Sequence, residues 1–449
     1  MLTENEAREL CQQVLRRCGA DPAEVFLVAQ DSALTRFANN LIHQNVAERN
    51  AELFLQIHLG KRRGMAVTNH SDVAALDKIV ERARANAQAS PEDPDAPGLA
   101  EPGRYPRVDS FDELTAGYSP EQRAREVAVV CRLPKEQNLN AAGAFSTGTK
   151  ALSVANSEGV FAYHLSTEAD FQTVVMDSDA SGHSHASAWK AAAIPVEDLG
   201  REAIQKASSG GDPQKIGPGE YAVVLDPYAT QDIVSMLNHH GMSAKDVQEG
   251  RSWMNDRMGE KVMDASISIW DDGADALGIP QPFDVEGTPK RRTDIVRQGI
   301  VEGAVHDRST AKLDGVSSTG HAIQPGLLLT GVKPMALNLF MAPGTASLEQ
   351  MIGSTERGLY ITRFWYTRLV HPRECVITGM TRDGVFMIED GEIAYPVKNL
   401  RFTQSYVQAL NDVEMIGRET RLLIGAYAKA AMRVPALKIR RFNFTGTTV

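Results

Sequence analysis

Apolar and polar positions along this chain change period several times, and each change marks an element. Ala7, Leu10, Cys11, Val14, Leu15 and Cys18 recur at helical spacing, with Thr3 and Glu6 placed as a capping box and Gly19 as a stop. From Glu24 to Asn69 the pattern alternates or runs apolar, as in Val25-Phe-Leu-Val28 and Ala51-Glu-Leu-Phe-Leu-Gln-Ile-His58, which predicts strands. Val73, Leu76, Ile79, Val80 and Ala83 return to helical spacing behind Ser71 or Asp72 as cap. Ser119-Pro120-Glu121-Gln122 opens another helix, strand-like runs occupy Asn140 to Ala188, and a helix is predicted from Val196 to Ala207. The order helix, strands, helix thus occurs twice. Ala33-Leu-Thr-Arg-Phe-Ala-Asn39 aligns with Ala151-Leu-Ser-Val-Ala-Asn156 across one gap, as a diverged duplication would leave.

Between the two units, Pro91, Pro94, Pro97, Pro102 and Pro106 exclude regular structure, so residues 90-118 read as a linker or as an ordered excursion. From Gly219 onward the texture changes to short strands and frequent turns. Tyr221-Ala-Val-Val-Leu-Asp226 predicts a buried strand, and Ile233 to His240 has helical period. Thr381-Arg-Asp-Gly384 and Glu389-Asp-Gly-Glu392 are hairpin signals. Ser405 to Ile416 predicts a helix, and Val434 to Phe444 one or two closing strands. The expected fold class is α+β. An N-terminal antiparallel sheet with flanking helices would occupy residues 1-214, and a β-rich domain residues 215-449.

Composition narrows the function classes. The 449 residues carry 47 basic against 57 acidic side chains, which argues against nucleic acid as a partner. The densest basic run, Pro289-Lys-Arg-Arg292, reads as a solvated loop. No apolar run approaches the roughly 18 residues of a membrane span. The N-terminus lacks a signal-peptide layout, and Cys11, Cys18, Cys131 and Cys375 form no C-x-x-C pair. A cytoplasmic protein with reduced core thiols is expected.

Candidate chemistry is sparse. There is no G-x-S-x-G elbow, no phosphate loop and no H-E-x-x-H. His239 and His240 are helix neighbours, pointing about 100° apart, and neighbours rarely ligate one ion. His183 and His185 would share one face of a strand, which suits a metal better, although hydrogen-bonded strand histidines are the plainer reading. His321 follows Ser-Thr-Gly, as a cleft residue or an ordinary loop histidine. Asp284 and Glu286, two apart, would share a strand face for acid-base work or cation binding, unless Phe283-Asp-Val-Glu-Gly287 is simply a turn. Asp271-Asp272-Gly273 reads as a turn. Cys375 with His371 would need a cationic neighbour to act as a nucleophile.

Several of these stretches in order carry a resemblance. They are Gly219-Glu-Tyr-Ala-Val-Val-Leu, Gly250-Arg-Ser, Met258-Gly-Glu-Lys-Val, Phe283-Asp-Val-Glu-Gly-Thr-Pro, Arg297-Gln-Gly-Ile and Ser318-Thr-Gly-His-Ala. With Ala342-Pro-Gly344 and Glu389-Asp-Gly-Glu-Ile393, they make the chain resemble the TldD/PmbA family, whose PmbA branch is also called TldE. The resemblance implies a zinc-dependent peptidase built from two related subunits that cleaves unfolded or flexible peptides in a closed chamber. The TldD-type subunit carries H-E-x-x-x-H on a helix and a cysteine ligand near its C-terminus. Counted back from Gly250-Arg-Ser252, that motif falls on Ser235 to His240. Ser235 then stands for the first histidine and Met236 for the glutamate, only His240 matches, and no cysteine follows Cys375.

The chain therefore resembles the PmbA/TldE type, with no zinc of its own and zinc in a catalytic partner. Ser235, His239, His240, Asp284, Glu286 and His321 are its candidate cleft or vestigial-site residues. The expected function is a non-catalytic subunit, paired with a TldD-type partner or with itself, that holds peptide. The alternatives are a stand-alone metallohydrolase combining His240 with His321, Glu286 or the His183/His185 pair, and a peptide-binding homodimer. The family's older label, modulator of DNA gyrase, gains nothing from an acidic chain.

Overall fold

A computed structural model describes residues 1–328, 332–425 and 429–447. Helix α1 (Glu4–Cys18) starts at the expected capping box, where Thr3 Oγ1 accepts from the Glu6 amide at 3.3 Å and Glu6 accepts from the Thr3 amide at 2.8 Å. Six antiparallel strands follow: β1 (Ala23–Ala38), β2 (Leu41–Leu59), β3 (Arg62–Thr68), β4 (Asn140–Asn156), β5 (Phe161–Met176) and β6 (Ser181–Ala188). Their spatial order is β3-β2-β1-β4-β5-β6. Helix α2 (Val73–Ala89) closes the first three-stranded unit, after which comes the single turn α3 (Glu113–Ala116). Helices α4 (Pro120–Lys135) and α5 (Val196–Ser208) flank the second unit. The repeated helix–strands–helix order is thus present, and the two units join edge to edge along β1 and β4. The matched peptides Ala33–Asn39 and Ala151–Asn156 sit at equivalent places, each leading into the first hairpin of its unit.

The sheet's two faces explain why β1 reads as an unbroken apolar run. Val25 and Leu27 pack with α1 and α2, while Phe26 and Val28 lie under Phe283 of the second domain. Both faces are covered, so both sets of alternating positions are buried. The proline-rich stretch is an ordered excursion. Asn156 donates to the Ala100 carbonyl at 2.8 Å, and the Tyr105 hydroxyl donates to the Gly287 carbonyl at 2.8 Å, tying the stretch to both domains.

The second sheet opens with β7 (Gly219–Leu225). It pairs with Arg357–His371 on one side and with Ala431–Thr447 on the other. Val376–Glu389 and Leu400–Ser405 complete the circuit, so five strands close into a barrel. Helix α6 (Pro227–His239) packs Ile233, Val234, Met236 and Leu237 into the barrel core.

Two expectations need correction here, and the closing element resolves to one of its two options. Arg382-Asp383-Gly384 is no hairpin turn but a bulge inside the strand Val376–Glu389, opposite the register shift at Ile361/Arg363, with φ +59° at Asp383 and +127° at Gly384. The helix after Ser405 ends at Asn411, because Val413–Ile424 is captured as a strand by Ala431–Thr447. That last element is one strand of 17 residues.

Candidate functional site

The inner face of the first sheet is roofed by the second domain, and a set of connected cavities lies between them. Neighbouring cavities share wall residues: Phe26, Val285 and Ile323 join the first to a central one, and Glu168, Ile424 and Lys429 join that one to the cleft under α6. The wall changes character along its length. Phe26, Val28, Phe54 and Leu152 line one end, whereas β5 and β6 present Glu168, Asp170, Gln172, His183 and His185 at the other. Period two places all five on this face. Glu168 is exposed, and what it is exposed to is this interior.

The cleft under α6 measures about 650 Å³. Asp226 occupies the N-cap position of α6, yet its carboxylate accepts from Lys206 at 3.0 Å and from the Tyr360 hydroxyl at 2.8 Å. With its start pinned there, α6 turns Gln231, Asp232 and Ser235 toward the cleft and Met236 into the core. The Ser235 hydroxyl has no hydrogen-bond partner among the described residues. Asp232 accepts from Tyr406 at 2.8 Å and Thr367 at 2.9 Å, and burial outweighs these bonds, pushing its carboxyl up to about 6.

Across the cleft, Asp170 accepts from His185 at 2.7 Å and from Ser187 at 2.6 Å. Burial alone would raise the Asp170 carboxyl, but His185 and Ser187 hold it below the usual range. Ser187 and Asp170 both meet the same ring nitrogen of His185, so the three do not form a nucleophile–base–orienter relay. The Ser187 hydroxyl also accepts from the Ile424 amide, which links the two domains. His183 is packed edge-on against Tyr228 at 5.0 Å, and burial keeps it neutral.

His239 and His240 lie past the end of this cleft. Their rings contact at 4.6 Å, and burial with the nearby Lys333 and Arg251 depresses them to about 4 and about 3. Asp284, Glu286 and His321 belong elsewhere again. Asp284 and Glu286 do not share a strand face, because Asp284–Gly287 is a turn. Asp284 accepts from the amides of Glu286, Thr288 and Ala322 at 3.0, 2.9 and 3.0 Å. His321 is fully buried between Thr319 at 2.8 Å and Asp271 at 2.9 Å. These residues clamp the Ser318–Ala322 turn to the 284–288 turn and to the strand Ile269–Asp271. Glu286 alone reaches a cavity, beside Glu24 and Asp307. Burial, with Asp284 next to it, raises its carboxyl well above the ordinary value.

Ser235 and the His183/His185 pair are therefore brought together, while His239, His240, Asp284 and His321 are not joined to them. Among the described residues no three His, Cys, Asp or Glu side chains are grouped to hold a metal. The α6 segment does not fit a zinc site of the family type. Ser235 offers no imidazole, Met236 is buried in the core, and Cys375 lies in that same core with its thiol pushed up by burial. Sequence reasoning missed Glu168, Asp170 and Asp232. The alternation in Thr167-Glu-Ala-Asp-Phe-Gln172 carried the signal for the first two. It also misplaced Lys290, which is not solvated but 5% exposed, since Gly273 and Gly320 leave room for its chain.

A chain with a strap-linked double unit, a closed barrel and this interior has close counterparts among metallopeptidase-related proteins. It belongs to the PmbA/TldD family: the model of the "PmbA/TldA metallopeptidase C-terminal domain" matches residues 218–446, and that of "PmbA/TldA metallopeptidase domain 1" matches residues 23–87. The crystal structure of TldE from Thermococcus kodakarensis superposes with a TM-score of 0.89 at 20% identity, covering 98% of this chain and 100% of that one. A proposed modulator of DNA gyrase from Thermotoga maritima superposes at 0.85 with 19% identity, covering 99% and 100%. In sequence, a metalloprotease of Methanothermobacter thermautotrophicus is 27% identical over 54% of this chain and 52% of its own length. A TldD homologue of Buchnera aphidicola is 23% identical over 62% and 57%. The chain spans about half the length of the curated relatives it matches. No helix among the described residues is long and apolar enough to cross a membrane.

Proposed function

We propose that this chain is the non-catalytic subunit of a TldD/PmbA-type zinc metallopeptidase, and that its interior holds peptide for a TldD-type partner. One observation carries the reading. On α6 the position facing the cleft is Ser235, and the next residue, where a general base would stand, is the core residue Met236. Zinc and its water belong to the partner on this reading, and this chain contributes the chamber wall and the polar face of β5 and β6. The extended inner face and connected cavities suit a peptide in strand form. No nucleic acid enters the reading, and the cell compartment follows as cytoplasmic.

The test is metal analysis and a peptidase assay of the purified chain, alone and with a TldD-type partner bearing an intact H-E-x-x-x-H. Cleavage is expected only with the partner, and stoichiometric zinc only in the partner. Robust chelator-sensitive cleavage by this chain alone would overturn the proposal. Peptide capture by a stable homodimer that never engages such a partner would replace it with the binding-protein reading.

A further inference from the structure

The central cavity contains a charge arrangement that holding a peptide backbone does not require. Lys290 lines it, is 5% exposed, and its ammonium makes no hydrogen bond among the described residues. A buried ammonium ordinarily has an acceptor. The two buried carboxylates whose charge reaches Lys290 are Asp271 and Asp284, and their oxygens are already engaged. Asp271 accepts from His321 at 2.9 Å and from the Asn338 amide at 2.7 Å. Asp284 accepts from three backbone amides. Lys290 is thus held by the same clamp that fixes the 284–288 and 318–322 turns, with its donors unused.

The rest of the wall extends the pattern. Lys150 projects from β4 onto the inner face and Lys429 stands beside it, against Glu52 and Glu168. Burial, together with Lys429 and Lys290, lowers the basicity of Lys150, while Glu168 opposes this. His164, on the same wall, is held near 4 by burial and is neutral at pH 7. Lys290, Lys150 and Lys429 face Glu52 and Glu168 around this cavity, and the charges of Asp271 and Asp284 also act on Lys290. The cavity, about 290 Å³, shares wall residues with both larger cavities.

We infer that Lys290, with Lys150, forms a subsite for a carboxylate of the bound peptide, at its C-terminus or on an acidic side chain. The inference rests on the peptide-holding reading above and adds a specificity to it. A carboxylate would supply the acceptor that Asp271 and Asp284 do not, as a charge-assisted bond shielded from bulk water.

The test compares the full chain with one unstructured peptide in two forms, free acid and C-terminal amide, by fluorescence anisotropy. A third peptide is amidated but carries a glutamate next to its end. The free acid is expected to bind about tenfold tighter than the amide, with Lys290→Met abolishing the difference. Tight binding of the third peptide would assign the carboxylate to a side chain. Should Lys290→Met fail to fold, Lys150→Gln is expected to reduce the difference about threefold. Equal binding of acid, amide and glutamate peptide by the unaltered chain overturns this inference and leaves the peptide reading intact. Absence of all peptide binding overturns the peptide reading instead. The subsite is then decided by N-acetylalanine against its amide in thermal unfolding. Stabilisation by the acid alone, lost in Lys290→Met, supports the subsite, and equal effects sink it.

Discussion

Two polar clusters in this molecule look alike in sequence and differ in what their atoms are free to do. Around the 284–288 turn, Asp271, Asp284 and His321 have hydrogen bonds on every side-chain oxygen and both ring nitrogens, to one another or to backbone amides. Under α6, Ser235 faces open space, and Asp232 sits protonated part of the time near neutral pH. The first cluster is a clamp and the second is a surface for something else. A carboxylate two residues from another, or a histidine after Ser-Thr-Gly, signals either outcome. Whether the polar atoms already have partners decides which, and that is a property of the fold.

The sharpest way to break this comparison is to remove an acceptor from the clamp. Asp284→Ala leaves three buried amides without a partner and is expected to cost about 4 kcal/mol, read from the denaturant midpoint. His321→Ala leaves Asp271 buried with an unpaired oxygen, an expected loss of about 3 kcal/mol in the same measurement. Next comes acid. His164, His239 and His240 are depressed to about 4, 4 and 3, so the folded state holds fewer protons than the unfolded one below their ordinary value of 6.5. Their contribution is complete above that value and is lost as pH falls from 6.5 toward 4 for His164 and His239 and toward 3 for His240. Each contributes about 2 kcal/mol to this loss after allowing for solvent screening, and His164→Gln should flatten the stability–pH curve by that amount.

Within the cleft the effects are smaller. Asp232 titrates near 6 when folded and near 3.8 when not, so its stabilising protonated form is present below 3.8 and lost as pH rises toward 6. Asp232→Asn is therefore expected to be close to neutral at pH 4 and stabilising by about 1 kcal/mol at pH 8, seen by thermal unfolding at the two pH values. Ser235→Ala, which breaks no bond among the described residues, should stay within about 0.5 kcal/mol of the parent chain. A large loss there would show that the cleft holds the fold together just as the clamp does.

Much of the fold could be read locally. Capping boxes at Thr3 and Ser119, the apolar run of β1, the alternation in β2, and the Glu389-Asp-Gly-Glu392 turn act over a few residues, and the chain honours each of them. The two-unit pattern was legible because both units repeat the same order of periods. The candidate site was legible only in part. Ser235 was found by its place in a family frame, whereas Glu168 and Asp170 hid in a strand whose polar alternation marked a face without saying what covers it.

The sequence by itself determined the elements, their order and the absence of a histidine–glutamate pair on α6, because these depend on residue type and near neighbours. Tertiary structure decided the rest. Closure of the barrel requires Ala431–Thr447 to meet β7 from about two hundred residues away, a pairing no local period encodes. The same closure lays the second domain over the inner face of the first sheet. It buries Lys290 without an acceptor, ties Asp284 and His321 to holding turns, and leaves Ser235 facing a chamber. Burial and hydrogen-bond satisfaction are set by what packs against a residue, and the sequence names those neighbours only once the chain has folded.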